Sequence, residues 1–387
     1  MNHNFEFLNK KMLGVLFAVL FVCTIIPFTD VFPDYITNFA LSAIQVAPFI
    51  LLAFFAYMSE KYPGLKIFTT IWLLVIILII AMTSFGVAFI SLMPAEIINT
   101  PASEGIEEYI SENIEEIFLK SAFLLFSVLL AAILSLAGQI RNFRILLSGY
   151  IPINPDSFVH KTALTAVLAM TLIPLVPLLV TGNPPYLSPV FLEMAAVEQA
   201  FSEIVSLDVF SLFWMILASF IIAGLYINKK YPEVLKRLGI VKPTKNELLL
   251  SVGAGILLVG VFFVIEHVIS AIWGFFGWSV TDSDSVNLLF SAYLTPVTAL
   301  VAAISAGFGE EIAVRGLLQP RLGIIIPSLL FASLHAFQYS WDGVLSVFIA
   351  GIIFAIIRRH YNTTFSAVTH SVYDIILFYA IMLGISI

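Results

Sequence analysis

Apolar residues run along this chain in long blocks separated by short polar breaks, with no strict alternation of apolar and polar positions inside them. The blocks are too continuous for half-buried strands and too long for buried ones. A stretch of roughly 20 apolar residues is what an α-helix needs to cross ~30 Å of hydrocarbon. In lipid only helices and closed barrels satisfy their own backbone groups, so the pattern predicts an all-α, polytopic transmembrane helix bundle. About eleven spans are expected, at residues 12–29, 36–58, 67–93, 119–139, 162–182, 210–228, 248–277, 288–309, 323–338, 343–358 and 365–386.

Two longer breaks carry a pattern of their own. In 103–118, Ile106, Ile110, Ile114 and Ile117 form a helical stripe with glutamates opposite, which predicts an amphipathic helix on the outer surface. The other, 183–209, places Glu193, Glu198 and Glu203 among apolar residues.

Composition agrees with the hydropathy pattern. Of 387 residues, 60% are hydrophobic and 11% charged, with a mean hydropathy of +1.03, which excludes an ordinary soluble domain. The first span follows Lys10 and Lys11 without a small-residue cleavage site and reads as a retained anchor. Cys23 is the only cysteine, so no internal disulfide can form. With a cytoplasmic N-terminus, eleven spans put every Lys and Arg except Lys120 on the inner side, as the positive-inside bias requires. The expectation is therefore a multi-pass protein of the cell membrane. Its partner is the lipid bilayer, and no nucleic acid.

The basic stretch 229–247 is the best internal boundary. It divides an N-terminal region of about six helices with two acidic outer loops, 1–228, from a C-terminal core, 248–387. Six cations between residues 228 and 247 could hold anionic headgroups, at ~1 kcal/mol each near the surface.

The candidate chemistry lies in the last helices. An ionisable residue at the centre of a membrane helix costs about 2.5–3.5 kcal/mol on insertion scales, so such residues usually face a cavity or each other. Glu310, Glu311 and Arg315 end the eighth block, His335 lies in the ninth, and His370 and Asp374 in the eleventh. Glu311 and Arg315 are four apart and share a helix face, so they can neutralise each other. Glu310, rotated about 100° from Glu311, keeps a free carboxylate. A partly buried carboxylate near imidazoles describes a general base that takes a proton from water, with the histidines holding the water or stabilising an oxyanion. Glu266 and His267 form another polar pair in the seventh block and read as structural or as lining a vestibule.

The residues EEIAVR (310–315), FASLH (331–335) and HSVYD (370–374), with RGLLQPRL (315–322) downstream of the first, resemble the EExxxR, FxxxH and HxxxN/D motifs of one family. It is the CAAX protease and bacteriocin-processing family of intramembrane endopeptidases, related to the type II CAAX prenyl proteases. The resemblance implies that Glu310 and His335 activate the attacking water. It also implies that Glu311 and Arg315 orient the site, that His370 and Asp374 line the oxyanion side, and that Phe331 packs one turn below His335. The implied substrate is a membrane-associated peptide, prenylated CAAX-type proteins included. A non-proteolytic immunity or scaffold protein of the same family is the alternative.

Many relatives carry Asn where this chain has Asp374, and an ionised Asp cannot donate a hydrogen bond. Asp374 would have to be protonated, orient His370, or ligate a metal. The reading adopted is a metal-independent glutamate mechanism with no cofactor. Zinc held by Glu310, His335, His370 and Asp374 is the alternative. For Glu310 to reach the depth of His335, the eighth helix has to continue to about Leu318.

Overall fold

The computed structural model describes residues 8–29, 31–93, 104–197 and 200–385, side chains of 104–113 excepted. His3, Glu198 and the side chains of Ile106 and Ile110 lie outside the described residues. Among the described residues ten helices are long and apolar enough to span a membrane, and an eleventh apolar helix is shorter. No strand runs through the described residues.

Six of the ten make up the N-terminal region. They are α1 (Lys10–Ile25), α2 (Asp34–Lys61), α3 (Leu65–Ser91), α4 (Glu104–Ser135), α5 (Phe158–Leu172) and α6 (Phe201–Ile222). The short helix Val176–Thr181 continues α5. The basic stretch folds around α7 (Tyr231–Leu238). After it come α8 (Lys245–Phe276) and α9 (Pro296–Glu310), which runs on through a π-helical stretch, Glu311–Leu318, and a last turn, Gln319–Leu322. The chain closes with α10 (Ile325–Leu334), α11 (Trp341–His360) and α12 (Thr363–Met382).

Three sequence expectations are corrected. The glutamate-rich segment near 103–118 is not a separate surface helix but the first half of α4, because its helical period runs unbroken into the span. The sixth helix starts at Phe201 rather than 210, so Glu203 and Asp208 belong to it and the preceding loop is shorter. The ninth block, 323–338, holds a helix of only 10 residues. There the backbone leaves the helix at His335, whose Nδ1 lies 2.8 Å from the Phe331 carbonyl and competes for the helical acceptor. The expected continuation of the eighth helix past Glu310 is present and reaches Leu322.

Packing follows from small residues. Without a hydrophobic drive between helices in lipid, close van der Waals contact has to hold them together. Ala40, Ala43 and Ala47 of α2 are buried against Trp214 and Ala218 of α6 in one cluster, which also takes in Ile312 of the π-helical stretch. A second cluster joins α3, α4 and α5 through Leu73, Ile76, Leu124, Val128 and Ala169. In the C-terminal core α12 is wedged between α8 and α9. Glycine makes both contacts possible. A Cβ on Gly307 would come within 2.6 Å of the Ser371 backbone nitrogen, and one on Gly255 within 2.8 Å of the Thr369 carbonyl oxygen. The N-terminal region supports this core directly, through α6 against α9 and α5 against α10.

The helix ends sort into two groups. At one end the Asn9 amide bonds the Tyr226 carbonyl, Glu60 accepts from the Phe158 amide, and Thr363 bonds Leu238 and Gly239. Thr244 and Glu247 form a capping box that starts α8 there. At the opposite end a cavity of about 420 Å³ is lined by Ser91, Lys120, Thr181, Ser188, Asp282 and Ser340, among others. Asp342 holds Thr281 at this end with bonds of 2.9 and 2.7 Å. The turn after α10 therefore reaches the far end of the bundle although its helix is short.

Candidate active site

The site is built where the register of the eighth helix changes. Glu310 is its last α-helical residue, and Glu311 opens a stretch with i→i+5 spacing, a geometry frequent at functional sites. Pro320 contributes a cause from below: it has no N–H to donate, and its ring displaces the carbonyl one turn before it. The wider turn still leaves Glu311 and Arg315 together, with Arg315 Nη1 3.3 Å from Glu311 Oε1. Both side chains are closed off, at 0% and 1% exposure.

Further contacts enclose this pair. Ser366 Oγ donates to Glu311 Oε2 at 2.6 Å. The Arg315 guanidinium lies 4.4 Å from the centre of the Phe331 ring and 5.8 Å from that of Phe354, a cation–π sandwich. Gln319 Nε2 donates to the Ala355 carbonyl at 2.8 Å, which ties the far side of the wide turn to α11.

His370 joins the closed pair to the open part of the site. Its Nδ1 lies 3.3 Å from Glu311 Oε1, and its Nε2 lies 3.4 Å from Asp374 Oδ2 and 3.9 Å from Glu310 Oε2. The ring stacks on Phe354 with centroids 4.5 Å apart. Glu310 makes no hydrogen bond among the described residues and is 29% exposed, and Asp374 is 18% exposed. The expected division between a neutralised Glu311 and an unspent Glu310 thus has a clear geometry.

His335 stands apart from this carboxylate group. Its ring packs edge-on against Phe331 at 4.8 Å and stacks on Tyr339 at 6.2 Å, and Phe331 in turn meets His370 at 6.1 Å. No hydrogen bond or ion pair joins His335 to Glu310 among the described residues. A carbonyl can only accept, so the contact with Phe331 puts the hydrogen on Nδ1 and leaves Nε2 as an acceptor.

The zinc alternative fits poorly. Among the described residues no three His, Cys, Asp or Glu side chains converge as a metal would require. His370 turns one nitrogen to Glu311 and the other between Asp374 and Glu310, while His335 is held on a different helix behind Phe331.

Three contributors escaped the sequence reading: Ser366, Phe354 and Tyr339. Two of them carry a faint signal, since Ser366 precedes His370 by four residues and Tyr339 follows His335 by four. Glu266 lies on α8, where its Oε1 accepts from Ser346 Oγ of α11 at 3.2 Å.

Residues 292–376 match the family model described as type II CAAX prenyl endopeptidase Rce1-like. That span contains all three motifs, and with the helical, membrane-type architecture it fits the CAAX protease family. The matched family is a family of proteases. No match was found among curated proteins or solved structures.

Proposed function

We propose that this protein is an intramembrane endopeptidase in which Glu310 activates a water molecule to cleave a membrane-associated peptide. The observation that carries the reading is the contrast at one helix turn: Glu311 is buried, ion-paired with Arg315 and bonded by Ser366, while the carboxylate of its neighbour Glu310 is partly exposed beside His370 with no hydrogen bond of its own. Water held between the Glu310 carboxylate and His335 Nε2 gives up a proton to Glu310 as its oxygen attacks the scissile carbonyl. Glu310 then returns that proton to the leaving amine.

His370, fixed by Glu311 and Phe354, lines the side on which the oxyanion forms. Asp374, at 3.4 Å from its Nε2, orients the imidazole and, when protonated, supplies a second donor. The residues' poor fit to a metal supports a metal-independent route. We also infer that the basic end of the bundle faces the cytoplasm, following the positive-inside bias. Prenylated CAAX-type proteins are the first substrate class to try.

The test compares membrane-peptide termini in cells carrying wild-type protein or Glu310→Ala, followed by cleavage of the identified peptide with purified protein. The expected result is a new terminus that depends on both Glu310 and His335. Full activity in Glu310→Ala and His335→Ala would sink the proposal.

A further inference from the structure

The basic end holds more positive charge than its contacts consume. Lys229 in the turn after α6, Arg237 on α7, Arg321 in the last turn of the long eighth helix and Arg358 on α11 come together from four separate elements. All four are half-buried. Lys229 Nζ donates to the Ala223 carbonyl at 2.7 Å and lies 5.9 Å from the centre of the Tyr57 ring. Arg237 Nη2 reaches the Leu317 carbonyl at 3.4 Å. The buried Nε of Arg358 has no hydrogen-bond partner, and its Nη2 lies beside Gly239. Arg321 makes neither a hydrogen bond nor an ion pair among the described residues.

Helix carbonyls orient two of these cations but do not neutralise any of them. The carboxylate near Lys229 is Glu233, and its Oε2 accepts from the Lys230 amide at 2.8 Å as part of the cap of α7. Burial, with Arg237 and Arg321 close by, brings Lys229 down to about 8, and burial with Arg321 and Arg358 lowers Arg237. Like charges gathered out of water without a counter-charge are costly, and an anion removes that cost.

We propose that Lys229, Arg237, Arg321 and Arg358 form a phosphate-binding site at the basic end of the bundle, which takes the headgroup phosphate of an anionic phospholipid. Arginine forks suit phosphate oxygens, and the helix ends place the site at the level of a bilayer surface. The inference does not depend on the peptidase reading, so either can fail alone.

The experiment uses the full-length protein reconstituted with phosphatidylglycerol and phosphatidylcholine, then stripped with neutral detergent, with bound lipid counted by native mass spectrometry. Wild type is expected to retain phosphatidylglycerol over phosphatidylcholine. The Arg237→Gln/Arg321→Gln variant should lose about tenfold or more of it. The comparison variant Lys236→Gln/Arg359→Gln removes two exposed cations from the same end and should retain it. Unchanged retention in the first variant, or equal loss in both, would overturn the site. Displacement of the lipid by millimolar inorganic phosphate would overturn the lipid assignment in favour of a free anion. Wild type alone gives a second readout, should the first variant not fold. Lys229 faces Arg237, Arg321, Glu233 and Tyr57, and it loses its charge as pH rises through about 8. Lipid loading should therefore be weaker at pH 9.5 than at pH 7, and equal loading at both would count against the proposal.

Discussion

Two adjacent glutamates divide the polar core into a closed half and an open half. Around Glu311 the groups are buried and close: Ser366 donates to its carboxylate, Arg315 and His370 lie at ion-pair distance, and the Phe331 ring covers the guanidinium. Glu310 and Asp374 are partly exposed and loosely spaced about His370 Nε2, at 3.9 and 3.4 Å. On the proposed reading the same side chain serves as structure in one position and as reagent in the next, and the change of helical register lies between them. The teaching point is that stability and chemistry should respond to different substitutions.

The largest effect expected is on activity. Glu310→Gln should lower kcat by about 10²–10⁴-fold, the usual scale for removing a general base, while thermal unfolding in detergent stays near that of wild type. A loss of folding together with activity would blur the division between the halves. Glu311→Ala and Arg315→Ala should each behave in the opposite way. Each strands a buried charge, for about 3–5 kcal/mol of lost stability, read as a lower unfolding temperature before any kinetic defect is considered. Ser366→Ala removes one bond to a charged acceptor, and a cost of about 1.5–3 kcal/mol in the same assay would mark Ser366 as part of the closed half.

Asp374 probes the open half. An amide can donate where an ionised acid cannot, so Asp374→Asn should keep activity within about tenfold of wild type while Asp374→Ala loses about 10²-fold. Equal losses in the two variants would point to packing rather than to a hydrogen bond. The smallest effect expected is from chelation: incubation with 1,10-phenanthroline should leave cleavage unchanged, and loss restored by added zinc would replace the glutamate mechanism with a metal one.

Much of the bundle was legible because hydropathy and length report directly on the need to bury backbone groups in lipid. That signal fails where apolar residues continue past the end of a helix. Residues 336–339 extend the apolar run of the ninth block, but the His335 ring takes over a helical acceptor and the chain turns. It fails again at α4, where glutamates suggest a surface helix while the helix itself continues. The pairing of Glu311 with Arg315 and of His370 with Asp374 was readable from spacing four, because each pair sits on one helix. Contacts between helices, such as Ser366 with Glu311 or Phe354 with His370, depend on how α11 and α12 approach the wide turn. Gly307 and Gly255, which permit that approach, carry no chemical signature of their own.

The wide turn between Glu311 and Leu318 is also a matter of register. A π-helical stretch holds more chain than the α-helix it interrupts, so Glu310 above it and Arg321 below it are phased by that surplus. Deleting a single residue there would let the helix close to α spacing and change the angle between the segments on either side. Glu310 would keep its place beside His370, while Arg321 would swing away from Lys229 and Arg237. The length of one helix turn thus sets the phase between the Glu310 carboxylate and the charged end of the molecule.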